Sequence, residues 1–229
     1  GRGTGTSKFT GIIAIVGIAI GCIALIISIS VLNGFEEKVT EKIRAFEGDL
    51  KITNIKQQGN DILAWLESEK DVSSQMQYME RKGLVVGNDE IRMVTLKALE
   101  IEKANSFYGL NLGALDFDKD NPSVVIGEIL ASRLGLSVGD NIQLMSPVDI
   151  SMGIGLPPRA QGTIIGVFNS KVLDYDDRLV FIPLSMGKTL FSRKMSLDGI
   201  DLRLNNIEEI NNLINEIMTE FDDVSFKSW

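Results

Sequence analysis

The sequence predicts an α+β protein: one transmembrane helix with a stalk, a split α+β subdomain, and a β-rich subdomain inserted into the split one. Three observations predict it. Phe9 to Phe35 is a run of 27 residues without a charge. The segments after this run and at the end of the chain each read strand–helix–strand. Between them lies a stretch of short apolar strands punctuated by Gly, Pro and Asp. Strand–helix–strand blocks interrupted by a β-rich stretch are the pattern of a split sheet with an insertion. The expected divisions are 1–47 for the arm, membrane helix and stalk, 48–103 and 196–229 for the two parts of the split subdomain, and 104–195 for the insertion.

Residues 1–8 are small and polar, with glycines too irregular for a phosphate loop. At about 1.5 Å per residue the uncharged run reaches roughly 40 Å, enough to cross a hydrocarbon core of about 30 Å. A buried soluble helix is disfavoured, because the chain has no cluster of further apolar helices to cover one that is apolar all round. A cleaved signal peptide is disfavoured by the length of the run and by the lack of an A-x-A-like site after it. Gly17 and Gly21 form a G-x-x-x-G pair that would let another helix approach closely. Phe35, Val39 and Ile43 recur every four residues among Glu36, Glu37, Lys38, Glu41 and Lys42, so the helix continues as an amphipathic stalk to about Gly48.

Charge and composition exclude several function classes. Of 23 basic and 31 acidic residues, only Arg2 and Lys8 precede Glu36, so the remainder carries a net charge of −10. An acidic domain without a Lys/Arg cluster is unsuited to nucleic acid. Histidine is absent and Cys22 is the single cysteine, which removes the usual zinc sites and Ser-His-Asp or Cys-His catalysis. Positive residues flank the apolar run on both sides, so charge does not select an orientation.

After the stalk, Asp49 to Asn54 alternates as a strand, and Ile62 to Lys70 is a short helix capped by Asn60 or Asp61. Gln75–Val86 and Ile91–Glu100 form two strands around the Gly87-Asn88-Asp89 turn, and the alternation leaves the buried face of the second open. Residues 104–122 read as loop. Within them Asp116, Asp118 and Asp120 resemble the start of a calcium loop, but Asn121 stands where Gly is needed and Gly127 where Glu is needed, so a solvated acidic loop is the expectation.

Strands follow at 124–126, 142–145, 163–168 and 179–182, with a helix from Glu128 to Leu134 that stops at Gly135. Between two of these strands Pro147 to Pro158 is an excursion carrying Gly153, Gly155 and Pro157-Pro158, with apolar Met152, Ile154 and Leu156. A projecting loop with apolar residues at its tip is either a partner site or folds back on the domain. Asp174–Asp177 reads as an acidic turn. Gly187-Lys188-Thr189 lacks the earlier glycine of a phosphate loop, so the chain itself should not bind ATP. Ile200, Leu202 and Leu204 alternate with Asp201 and Arg203 as a strand, a helix capped at Asn205 or Asn206 carries Ile207, Ile210, Ile214, Ile217 and Phe221 on one stripe, and Val224–Lys227 returns as a strand.

Three stretches together resemble a known family: Ser30-Val31-Leu32-Asn33-Gly34-Phe35-Glu36 at the end of the apolar run; Val125-Ile126-Gly127-Glu128 with Ala131 and Leu134-Gly135-Leu136-x-Val138-Gly139-Asp140; and Ile164-Ile165-Gly166-Val167-Phe168 before the acidic turn. They are similar to the N-terminal half of lipoprotein-releasing permeases of the LolC/LolE type, which belong with the MacB- and FtsX-like permeases of ABC transporters. The resemblance implies a bacterial inner-membrane protein with a cytoplasmic N-terminus and a periplasmic domain, made of a split porter-like part and an inserted sabre-like part. It implies three further membrane helices after Trp229, no cofactor on this chain, and ATP used by a separate ATPase subunit. The implied partners are that ATPase, a second permease subunit in a homo- or heterodimer, a lipoprotein cargo, and a periplasmic lipoprotein chaperone.

In such permeases a hook on the sabre captures the chaperone. The matching loop is 147–158, with Met152, Ile154, Leu156, Pro157 and Pro158, and Gln143, Arg159 and Gln161 at its base. Asn33, Gly34 and Phe35 would be the joint where membrane motion enters the stalk. A MacB-like efflux or FtsX-like regulatory permease, and a single-span anchored binding or sensor module, are the alternative readings.

Overall fold

The computed structural model describes residues 4–88, 90–113, 115, 117, 121–146, 157–191 and 196–228. It contains two compact units, Gly1–Glu41 and Lys42–Trp229. Helix α1, Thr4–Glu47, supplies the whole described part of the first unit and contributes its last turns to the second. Gly11–Arg44 is long and apolar enough to cross a membrane, with a mean hydropathy of 3.0 over its best window. The large apolar side chains from Ile12 to Leu32 are at least half exposed, so the helix is apolar all round.

In the second unit the elements run β1 (Leu50–Thr53), α2 (Gly59–Leu66), β2 (Val72–Gly87), β3 (Glu90–Leu99), α3 (Ile101–Tyr108), β4 (Ser123–Gly127), α4 (Glu128–Leu134), β5 (Asn141–Met145), β6 (Arg159–Phe168), α5 (Leu173–Arg178), β7 (Leu179–Pro183), α6 (Leu184–Leu190), β8 (Gly199–Leu204), α7 (Ile210–Glu220) and β9 (Ser225–Ser228). The first half of β2 pairs antiparallel with β8, β8 with β1, and β1 with β9. Helices α2 and α7 cover one face of this four-stranded sheet. Leu50, Ile52, Ile200 and Leu202 from the strands meet Ile62, Leu66, Leu213 and Ile217 from the helices in one core.

The second half of β2 belongs to a different structure. It pairs with β3 and β5, and the order β2–β3–β7–β4–β6–β5 closes back on β2 as a six-stranded mixed barrel. Closure leaves few open edges, which suits short strands that would otherwise template aggregation. Val85, Val94, Leu96, Val124, Ile126, Ile142, Leu144, Ile164 and Val180 fill its interior. A third apolar cluster, with Tyr78, Leu99, Tyr108, Phe168 and Phe181, lies outside the barrel around α3 and the end of α1.

The predicted α+β architecture is thus present, with three differences in detail. The pairing does not break near residue 104. The changeover falls inside β2, between Tyr78 and Met79, and β3 joins the barrel by pairing with β7. Hydrophobic alternation cannot reveal which neighbour each half of a 16-residue strand will take. Residues 101–108, partly assigned to loop, form α3. Ile101, Ala104, Phe107 and Tyr108 are its buried stripe, and eight residues are too few for the helical period to stand out. The acidic stretch Asp174–Asp177 lies in α5. There Asp176 is buried and accepts hydrogen bonds from the Ser170 backbone N–H and hydroxyl, both at 2.7 Å. Asp116, Asp118 and Asp120 lie outside the described residues. Gly187-Lys188-Thr189 sits within α6, where no phosphate loop can form.

Two glycines of the singled-out motifs have a structural reason. A Cβ on Gly127 would stand 2.2 Å from the Asp176 carbonyl oxygen, so only glycine lets β4 pass α5. Gly48, at φ +94°, ends the stalk helix, and a Cβ there would meet the Leu202 carbonyl oxygen at 2.9 Å.

Candidate functional sites: the end of the stalk and the base of the hairpin

The last turn of α1 is anchored by an aromatic plug. Phe46 is buried, stacks on Tyr175 with ring centroids 4.5 Å apart, and meets Phe168, Tyr108 and Phe181 at 5.5, 5.8 and 5.9 Å. The terminal carbonyls of a helix need donors from outside it. Arg44 C=O receives the Gly48 N–H at 3.0 Å and an Arg203 guanidinium N–H at 2.9 Å. Arg203 also donates to the Phe107 carbonyl at 3.0 Å, so one side chain of β8 ties α1 to α3. Asp49 is buried directly after the turn and accepts the Leu204 N–H at 3.0 Å.

Beside the plug lies a buried charge network. Asp201 of β8 is fully buried and accepts from Lys97 Nζ at 2.6 Å and from the Tyr108 hydroxyl at 2.7 Å. Its other oxygen has no hydrogen-bond donor among the described residues and faces Lys51 Nζ at 3.8 Å. Lys51 in turn bonds Glu47, the last residue of α1, and Glu47 also accepts from the Tyr175 hydroxyl at 2.6 Å. Lys97 lies over the rings of Tyr78 and Tyr108, at 4.5 and 4.9 Å from their centroids. Two acids and two lysines therefore compensate one another. Unpaired charges at this depth would not be tolerated.

The titration behaviour follows from that arrangement. Burial works against the Glu47 carboxylate, but Lys51 outweighs it and holds the carboxyl below its ordinary value. Burial likewise opposes the Lys51 ammonium, and Asp201 with Glu47 reverse this to hold it above its ordinary value. Burial, followed by the negative charge of Asp201, pushes the Tyr108 hydroxyl well up. Of these groups Glu47, Lys97 and Tyr175 line a cleft of about 330 Å3, together with Phe46. Among the described residues no group of three His, Cys, Asp or Glu side chains could hold a metal ion. The arrangement is suited to holding elements together.

Sequence reasoning missed this network. Lys97 and Asp201 each stand singly in an alternating strand, which reads as one polar face. The sheet is covered on that face as well, so the polar partners are buried together.

The residues assigned to the hairpin base do come together. In the β5–β6 pair Gln143 stands opposite Gln161 and Met145 opposite Arg159, so Gln143, Gln161 and Arg159 share the face turned away from Ile142 and Leu144. Gln161 and Arg159 are exposed and Gln143 is half-buried. The Ser146 N–H donates to the Pro158 carbonyl at 3.2 Å, closing the hairpin, and Pro157 and Pro158 are half-buried. Met152, Ile154 and Leu156 lie outside the described residues. On α1, a Cβ at Gly17 or Gly21 would meet nothing within 4 Å. Asn33, Gly34 and Phe35 sit within uninterrupted helix, and Phe35 is exposed.

Comparison with known proteins agrees with this fold. Residues 12–219 match the family described as the MacB-like periplasmic core domain. Among curated relatives, the lipoprotein-releasing system transmembrane protein LolC of Neisseria meningitidis serogroup B is 26% identical over 209 residues, covering 87% of this chain and 50% of the relative. The corresponding LolE of Haemophilus influenzae is 24% identical, covering 97% of this chain and 56% of the relative. The chain thus spans about half the length of these relatives. Among solved structures, the periplasmic region of MacB from Actinobacillus actinomycetemcomitans aligns with a TM-score of 0.55 at 14% identity, covering 83% of this chain and 94% of that one. With its apolar N-terminal helix, its split sheet and its small mixed barrel, this chain belongs to the MacB-like periplasmic core domain family of ABC permeases.

Proposed function

We propose that this chain is the N-terminal part of a lipoprotein-releasing permease. Such a permease extracts lipoproteins from the bacterial inner membrane and passes them to a periplasmic chaperone. The observation that carries the reading is its similarity, over most of its length, to proteins named as LolC and LolE. The Asn33-Gly34-Phe35 exit and the Pro/Gly-rich loop between β5 and β6 support it.

Members of this ABC permease family are typically non-catalytic membrane subunits, and in the proposed mechanism no bond is made or broken on this chain. A separate ATPase subunit hydrolyses ATP and moves the membrane helices of two paired permeases. Helix α1 carries that motion to the periplasmic domain. Phe46, the Arg203 clamp and the Glu47–Lys51–Asp201–Lys97 network make the end of α1 move with the sheet and α3 as one piece. The acyl chains of the cargo are held near Ile12–Leu32, and the chaperone docks on the 147–158 loop with Gln143, Arg159 and Gln161 beneath it.

The test replaces residues 151–158 with a short Gly-Ser link. Chaperone capture, read by crosslinking, is expected to be lost while thermal unfolding of the protein is unchanged. Unchanged capture would remove the docking assignment. A MacB-like efflux permease is the second reading, favoured by the likeness of the fold to the MacB periplasmic region. It is supported instead if the intact permease binds a periplasmic adaptor and no lipoprotein.

A further inference from the structure

Strand β3 has an edge that the barrel leaves open. β2 pairs along one side of β3 as far as Glu90, whereas β7 pairs along the other side only from Thr95 to Leu99. Among the described residues no strand covers Glu90–Val94 on that second side. The chain just before β7 is α5, and between α5, α4 and the open edge runs a cleft of about 420 Å3. Unpaired strand edges are templates for another strand, and proteins usually blunt them.

The cleft has a distinct chemistry. Ile91 and Met93, 62% and 69% exposed, offer apolar surface along the edge. Lys82, Arg92, Arg133 and Arg178 line it, and among the described residues Asp177 is the one acid in its walls. Asp177 is engaged by Arg133 at 3.0 Å, and Arg178 approaches Asp174 and Asp177 no closer than 4.0 Å. Arg92 reaches Glu90 at 3.3 Å, and its buried Nε has no hydrogen-bond partner among the described residues. A basic cleft on a chain whose residues from Glu36 onward carry a net charge of −10 is a local reversal of sign, and it selects for a negatively charged occupant.

We propose that the Glu90–Val94 edge accepts an extended acidic segment of a partner polypeptide by strand addition. The segment's main chain pairs with β3, its apolar side chains lie on Ile91 and Met93, and its carboxylates meet Arg92, Arg133 and Arg178. In this mode main-chain bonds give affinity and alternate side chains give selectivity.

The test uses the full chain in detergent micelles and a short acetylated, amidated peptide of alternating Val and Glu. Amide hydrogen exchange at residues 90–94 is followed by mass spectrometry. At a peptide concentration about ten times its Kd, exchange should slow about tenfold. The N-methylated peptide, which lacks main-chain donors, and a Val–Lys peptide should give no slowing. Arg178→Glu, an exposed site with only long ion pairs, should keep the thermal unfolding of the parent and weaken the effect of the Val–Glu peptide. The proposal is overturned if that peptide leaves exchange unchanged, if the Val–Lys or N-methylated peptide protects equally, or if exchange slows with protein concentration alone, which would make a second copy of this chain the occupant.

Discussion

Replacing Asp201 with alanine removes the anion on which the end of the stalk depends. Asp201 is 0% exposed and Lys97 is 4% exposed, so water cannot take over as partner without opening the structure. The substitution leaves Lys97 without its 2.6 Å acceptor, Tyr108 without its 2.7 Å acceptor, and Lys51 with Glu47 alone. Breaking a buried pair by removing one partner costs about 3–5 kcal/mol. For a domain of this size that lowers the thermal midpoint by roughly 6–20 °C. The assay is thermal and urea unfolding of the full chain in detergent, followed by circular dichroism at a wavelength that reports the β-rich unit. The combined variant Lys97→Met, Tyr108→Phe, Asp201→Leu removes all three polar groups together and should recover most of the loss, because an apolar replacement leaves nothing unpaired. A loss below about 1 kcal/mol for Asp201→Ala, or a combined variant as unstable as the sum of its parts, would refute the reasoning.

Four further outcomes are expected. Because the Glu47 carboxyl is held below its ordinary 4.5, its contribution is present above that pH and lost as pH falls through the depressed value. Glu47→Gln should therefore lie below the parent in stability at neutral pH and converge with it in acid. At the alkaline end, Lys51 and Tyr108 both titrate above their ordinary values of 10.5 and 10.0, so the stability they contribute is full below about pH 10 and declines above it, and urea midpoints measured from pH 8 to 11 should show the fall. Phe46→Ala empties a buried aromatic site and should cost about 3–5 kcal/mol by urea unfolding. Gly17→Ile with Gly21→Ile should leave that unfolding unchanged and reduce energy transfer between labelled permeases in liposomes.

Much of the architecture could be read from residues. The uncharged run, the stalk period through Phe35, Val39 and Ile43, the Gly135 stop of α4 and the strand at 200–204 each follow from local pattern, because local pattern reports which face of an element is buried. The barrel was less legible. Its closure depends on β2 serving two sheets and on β3 meeting β7, which are long-range pairings with no local mark. The family resemblance places Gln143, Arg159 and Gln161 together, and the pairing of Gln143 with Gln161 and of Met145 with Arg159 shows the register that puts them on one face. The Lys97–Asp201 pair could not, since the residues are far apart in the chain and each looks like an ordinary member of a polar strand face.

The family places this chain among ABC permeases, and its cargo is the central claim. The most direct measurement is purification of the intact permease with its ATPase from membranes, followed by identification of what co-purifies and what ATP releases. The account predicts a bound lipoprotein that ATP transfers to the soluble chaperone, and transfer lost when residues 151–158 are replaced. A permease–ATPase complex that carries no lipoprotein, or that hydrolyses ATP without transferring one, would contradict it.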